Sequence, residues 1–251
     1  MGGKASLSRS VAGCVKPEEV VLIGVQELMA DPPRVHQHHE GSGGVWATTK
    51  ECYEFIQQSV SFGDRTLETG CGVSTVVFAD CGATHTAVYL DAVEGDVLRK
   101  WATHKHFDLS GVTLLPGGSD RILPSLDMGD LDVVMLDGGH AFPLPTLDWY
   151  YAGSALRKGG LLIVDDVHIP GVQRLTEFLD HDPRWPSVFN NGKFGVYKRL
   201  SGGALAENWP MQAFLPPVRA TDVALMSRAR SALRPARHRL AAARRTMLRS
   251  P

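Results

Sequence analysis

The sequence predicts an α/β fold: a mostly parallel sheet with helices on both faces. Three observations carry this. Between Arg65 and Asp180, short apolar runs alternate with helical stretches, which is the pattern of βαβ units. A Gly70-x-Gly72 turn stands between the first such run and the helix after it. Near the end, Asn191-Gly192 separates two short apolar runs, which is a hairpin signal and reverses the chain direction in the sheet.

In chain order, Pro17–Met29 predicts a short helix with Val21, Leu22, Val25 and Leu28 on one face, broken by Asp31-Pro32-Pro33. His36 to Gly44 reads as a polar loop. A helix follows over Thr49–Val60, opened by the capping pattern Thr48-x-x-Glu51. Strands are predicted at Arg65–Thr69, Thr84–Leu90, Val112–Leu115, Leu131–Leu136 and Leu161–Val164. Helices are predicted at Ser74–Asp80, Glu94–His106, Ser119–Leu126 and Thr146–Arg157, the last capped by Gly159-Gly160. A helix at Gly171–Asp180 and strands at Ser187–Phe189 and Gly195–Leu200 complete the pattern.

The 251 residues include 26 Lys+Arg and 27 Asp+Glu, with 43 % hydrophobic and 21 % charged side chains, as in an ordinary globular protein. No apolar run approaches the ~18 residues of a membrane span, and Met1–Val15 lacks the apolar core of a secretory leader. Cysteines 14, 52, 71 and 81 form no CxxC pair and are expected to be reduced thiols in a cytoplasmic protein. The near-zero net charge conceals an asymmetry. Nine arginines and one acid, Asp222, lie in residues 219–251, leaving 17 basic against 26 acidic side chains elsewhere, a net of −9. Leu225, Ala229, Ala232, Ala236, Leu240, Ala243 and Met247 recur at helical spacing in this tail. It suits weak contact with an anionic surface or with the acidic body itself.

The chemistry concentrates at expected strand ends. Glu68-Thr69-Gly70-Cys71-Gly72-Val73-Ser74 leaves a strand and enters a helix that Ser74 can cap. The third glycine of a dinucleotide fingerprint is replaced by Thr75. Glu68 would repel a pyrophosphate but suits a ligand carrying an ammonium group. Asp91, 19 residues after Gly72, stands where an acid accepts ribose hydroxyls, with Glu94 as its competitor. Ser119, in Gly118-Ser119-Asp120, is placed to contact a base. P-loop, GxSxG and HExxH patterns are absent.

Glu68-x-Gly70-x-Gly72, Asp91, Leu136-Asp137-Gly138-Gly139-His140 and Lys158-Gly159-Gly160-Leu161-Leu162-Ile163-Val164-Asp165-Asp166 resemble the class I S-adenosylmethionine (SAM) dependent methyltransferases. The resemblance covers about residues 45–200 as one domain. It leaves 1–44 as an N-terminal segment or lid, and 201–251 as a linker with the basic tail. It implies a Rossmann-like three-layer α/β/α sandwich whose seven-stranded sheet has its last strand antiparallel. It also implies SAM as cofactor, with the glycine loop of Glu68, Gly70 and Gly72 under its methionine part and Asp91 on its ribose; Ser74, Ser119 and Asp137 complete the expected cofactor contacts.

Asp137 follows the fourth strand, and Asp165-Asp166 follow the fifth. Converging carboxylates repel unless a cation lies among them, and oxygen ligands select Mg²⁺ or Ca²⁺. The Asp137…Asp165-Asp166 pattern looks like that of metal-dependent small-molecule O-methyltransferases, with Mg²⁺ the expected ion. Asp137, His140 and His168 are the expected catalytic groups, an imidazole taking the proton of an acceptor hydroxyl. The acceptor expected is a sugar, a natural product or a catechol-like diol. The competing readings are an RNA-binding methyltransferase-like protein using the basic tail, and a NAD-dependent oxidoreductase. The acidic body argues against the first; Thr75 and Glu68 argue against the second. His36, His38, His39 and Glu40 fit no closed zinc pattern. Trp46, Trp149, Tyr150 and Tyr151 are either acceptor-lining or core aromatics.

Overall fold

The computed structural model describes residues 22–36 and 45–201. Cys14, His38, His39, Glu40 and the basic tail lie outside the described residues. The chain divides into two units, 1–118 and 119–251.

The first unit contains α1 (Val25–Ala30), α2 (Lys50–Ser59), β1 (Arg65–Thr69), α3 (Val73–Asp80), β2 (Thr84–Tyr89), α4 (Ala92–His104) and β3 (Val112–Pro116). β1 pairs in parallel with β2, Thr66 opposite His85 and Glu68 opposite Ala87; β2 pairs in parallel with β3. α3 is apolar nearly all round and buried from Val73 through Phe78, as a helix pressed on a sheet must be. Residues 17–21 of the predicted N-terminal helix lie outside the described residues; within the described part α1 begins at Val25 and buries Val25 and Leu28. The cap of α2 is shifted by one residue. Thr49, not Thr48, accepts the backbone N–H of Cys52, and Thr48 is buried instead. Residues 22–36 are tied along this unit. Ile23 N–H donates to Asp80 at 2.8 Å, Gln57 donates to the Ile23 carbonyl at 2.9 Å, and Trp101 Nε1–H donates to the Asp31 carbonyl at 3.1 Å.

The second unit contains α5 (Ser119–Ile122), a 3₁₀ turn (Leu123–Ser125), β4 (Leu131–Leu136), α6 (Leu144–Ala155), β5 (Leu156–Val164), α7 (Pro170–His181), β6 (Ser187–Asn190) and β7 (Gly195–Lys198). Val133–Leu136 pair in parallel with Leu161–Val164, and β7 runs antiparallel to both β5 and β6. Trp149 of α6 packs against Phe178 of α7 and edge-on against Trp185. Burying an aromatic side chain of this kind is worth about 1.5–3 kcal/mol. Trp149 is therefore core, whereas Trp46 and Tyr150 are exposed.

One expectation is corrected at Gly159-Gly160. The helix stops at Ala155, and the two glycines lie inside β5 rather than capping a helix. Gly159 adopts φ +86° and donates its N–H to the Arg199 carbonyl, while a Cβ on Gly160 would meet the Asp132 carbonyl at 3.0 Å. The pair lies where the β4–β5 register shifts: the positive φ favours glycine at 159, and neighbouring backbone passes too close for a side chain at 160.

The seven strands form one sheet in the order β3-β2-β1-β4-β5-β7-β6, parallel except for β7, with helices around it, as the Rossmann-like expectation requires. Among the described residues no helix is long and apolar enough to cross a membrane.

Candidate functional site

In the first unit the candidate residues gather where β1 turns into α3. Gly70 has φ +112°, a conformation L side chains rarely adopt, which explains glycine there. α3 starts at Val73, with Gly72 as the residue before it. The predicted cap Ser74 does not serve as one: Gly72 N–H donates to Thr75 Oγ1 at 2.9 Å, so the cap comes from the next residue. The reason is local. Thr75 is the third residue of the helix and its hydroxyl reaches back over the turn to the Gly72 N–H, one half of a capping box, since Gly72 has no side chain to reciprocate.

Glu68 is fully buried and anchored through one oxygen. Thr75 Oγ1 donates to Glu68 Oε1, and His85 Nε2 lies 3.1 Å from the same atom. Glu68 Oε2 has no hydrogen-bond partner among the described residues. A buried carboxylate oxygen left in this way costs about 1–3 kcal/mol or more. An ammonium group would satisfy it, so Glu68 fits the amino-acid end of SAM. Burial first, then the charge of Glu68, pushes the Cys71 thiol up, so Cys71 is an inert member of the turn. Asp91 caps α4, its side chain accepting the Val93 N–H at 3.0 Å, and is exposed. Its second oxygen and its place after β2 remain compatible with a ribose hydroxyl. Glu94 is buried, and its Oε1 meets His36 Nδ1 at 2.9 Å; the His36 ring also stacks on Trp46. Val35 is buried, its Cγ2 3.8 Å from where a Cβ on Gly72 would stand, so Val35 packs beside the glycine turn.

In the second unit the groups gather after β4 and β5. Asp166 holds φ +54°, in the left-handed region that aspartate tolerates better than most residues. From that position its Oδ2 lies 3.1 Å from His140 Nε2, and Asp137 Oδ1 lies 3.8 Å from the same nitrogen. The first contact is ionic rather than an aligned hydrogen bond. The interaction with Asp137 raises the His140 pKa above its ordinary 6.5; burial opposes this, and the charges of Asp166 and Asp165 add to it. His168 is mostly exposed, with Nδ1 3.7 Å from Asp166 Oδ1. Ser119 opens α5.

Sequence reasoning missed Lys193. Its Nζ lies 3.0 Å from Asp165 Oδ2 and also donates to Asp166 Oδ1. Burial lowers the Lys193 pKa, but the two carboxylates outweigh it and the net direction is up. The signal was present in the hairpin: an antiparallel β7 whose Gly195 pairs with Val164 must bring its preceding turn to the C-terminal end of β5. Asp165 is almost wholly buried and bound to this ammonium. The set offering ligand atoms within 4.8 Å of one another is instead Asp137, His140 and Asp166. Those three donors fit a divalent ion, with an imidazole in place of the third carboxylate.

Residues 67–167 match the model of a methyltransferase domain. A search of curated proteins found no match. Among solved structures the chain is similar to the O-methyltransferase TomG from Streptomyces achromogenes, described in complex with SAM: 17 % identity, 74 % of this chain, 92 % of that one, TM-score 0.55. It is also similar to an O-methyltransferase from Bacillus cereus in complex with SAH, at 16 % identity, 74 % and 93 % coverage and TM-score 0.54. The O-methyltransferase NovP shares 18 % identity over 70 % of this chain and 95 % of its own, TM-score 0.53. At these identities the structures speak to fold. The matched segment runs from β1 to just past the end of β5, and the fold around it is Rossmann-like.

Proposed function

We propose that this chain is an O-methyltransferase that moves the methyl group of SAM to a hydroxyl of a small molecule such as a sugar, a natural product or a catechol-like diol. The observation that supports the acceptor chemistry is His140 between Asp137 and Asp166, an imidazole flanked by two carboxylates just past the ends of β4 and β5. When bound, SAM supplies a methyl carbon activated by the neighbouring sulfonium. The residues of this chain do the rest. Glu68, Gly70, Gly72 and Asp91 would hold the donor, the glycine turn under its methionine part and Asp91 on its ribose, as the family resemblance implies. His140 would take the acceptor proton as the C–O bond forms, and Asp166 would stabilise the imidazolium that results. Ser74 contributes packing to the turn rather than a cap.

A second reading is favoured by the donor set itself. Asp137, His140 and Asp166 would hold a divalent ion, which would supply Lewis acidity to the acceptor oxygen. Lys193 already neutralises Asp165 and part of Asp166, so the electrostatic need for Mg²⁺ is smaller than three bare carboxylates would create. The buried thiols of Cys52, Cys71 and Cys81, outside any disulfide, fit a reducing, cytoplasmic setting. The acceptor is a small molecule rather than a nucleic acid on this reading.

The test is calorimetry with SAM and SAH, followed by transfer of labelled methyl from SAM to a panel of small hydroxyl compounds, with and without exhaustive chelation. Binding of both nucleosides and label on an acceptor oxygen are expected. Label found on nitrogen or carbon would overturn the oxygen assignment. Loss of transfer on chelation, restored by Mg²⁺ or Mn²⁺, would favour the metal reading over free imidazole.

A further inference from the structure

We infer that His85 is a positioning residue for the methyl donor: it acts through Glu68 to hold one carboxylate oxygen ready for the donor's ammonium group. This rests on the reading of Glu68 as a SAM contact. His85 lies at the other end of the paired strands from the glycine turn, is completely buried, and stacks on Phe78 with ring centroids 4.5 Å apart and planes 11° apart. Its two ring nitrogens are both engaged. Nδ1 lies 2.8 Å from the hydroxyl of Thr66, its cross-strand partner, and Nε2 lies 3.1 Å from Glu68 Oε1.

The directions of these bonds follow from donor and acceptor counting. An ionised Glu68 can only accept, so Nε2 carries the proton. A neutral ring then leaves Nδ1 as an acceptor, so Thr66 donates its O–H to it. On the other side Thr75 donates to Glu68 Oε1 and accepts the N–H of Gly72. Every donor in the chain Thr66–His85–Glu68–Thr75–Gly72 is used once, and both strong donors converge on Oε1. Oε2 is left over.

Packing alone does not account for this arrangement. An apolar side chain would fill the place beneath Phe78 without the cost of burying two ring nitrogens. What the imidazole adds is a fixed orientation for Glu68. With Oε1 tied by two donors, the carboxylate cannot turn both oxygens toward the protein, and Oε2 stays available to a cation. His85 touches neither donor nor acceptor, so its effect is confined to ligands that carry the ammonium group.

The experiment compares SAH, which has that group, with 5′-methylthioadenosine, which shares the nucleoside and thioether but lacks the amino-acid end. His85→Leu is expected to weaken SAH at least 10-fold while methylthioadenosine changes less than twofold. His85→Gln, which keeps a donor near the Nε2 position, is expected to recover most of the loss. Thr66→Val, a gentler change that removes the Nδ1 partner, serves if His85→Leu does not fold; it is expected to lower SAH affinity about threefold with the same ligand selectivity. Unchanged SAH affinity, or equal weakening of both ligands, overturns the inference while leaving the cofactor assignment standing. A parent protein that binds neither ligand overturns the cofactor assignment, and the inference with it.

Discussion

Glu68 and Asp166 both lie at C-terminal ends of parallel strands, yet their surroundings differ. Glu68 is enclosed, receives neutral donors on one oxygen and keeps the other without a partner. Asp166 is half-buried and surrounded by side chains that can be charged: Lys193, His140 and His168. The first environment is rigid and suited to recognising a fixed ligand charge. The second can redistribute a proton between imidazole and solvent while its net charge stays compensated. On the proposed reading, a carboxylate that would bind the cofactor and one that would serve the acceptor occupy similar places in the fold and differ in what neutralises them.

The largest effect that would break this division is expected in the first unit. Gly70→Val places a β-branched residue at φ +112°, a conformation costing about 1–3 kcal/mol in strain. Calorimetry should show SAH binding weakened by at least about 100-fold, with the far-ultraviolet circular dichroism of the parent retained. Parental affinity in the folded variant would remove the glycine turn from the cofactor site.

Next in size is Asp166→Asn. It removes the charge facing His140 and Lys193, and methyl transfer is expected to fall about 10²–10⁴-fold, the usual range for losing proton-transfer catalysis. SAH affinity should stay within twofold. A matching loss of SAH affinity would mean that the two carboxylates do not divide the work.

The smallest effect is a titration. His140 is held protonated above its ordinary 6.5 by Asp137, against the opposing effect of burial and with the help of Asp166 and Asp165. Its raised folded value means that the stabilisation is fully present below 6.5 and fades as pH rises through the folded pKa. Carbon-detected NMR of the ring should place its midpoint above 6.5 in the parent and lower in Asp137→Asn. An unshifted midpoint in that variant would take Asp137 out of the environment that tunes the base.

Much of the first region was legible in the sequence because its determinants are local. Glu68, Gly70 and Gly72 lie within five residues of one another, and the bounds of β1 and β4 agree with the predicted strands. The cap was misplaced at Ser74 because neighbouring hydroxyl residues compete for the same N–H groups, and only the turn geometry selects Thr75. In the second region the sequence located Asp137, His140, Asp165 and Asp166 as a group. It did not show that Asp165 is committed to an ammonium group, because Lys193 is separated from it by α7 and β6.

By itself, then, the sequence determined the alternation of strands and helices, the glycine turn with its acid, and the residue types at the strand ends. These follow from periodicity and from backbone constraints acting over a few residues. Tertiary structure decided which charges meet. The antiparallel return of β7 carries Lys193 to Asp165 and Asp166, and the parallel pairing of β1 with β2 sets Thr66 and His85 side by side behind Glu68. Such pairings depend on strand register across long stretches of chain, and a difference of one residue would have turned each side chain to the opposite face.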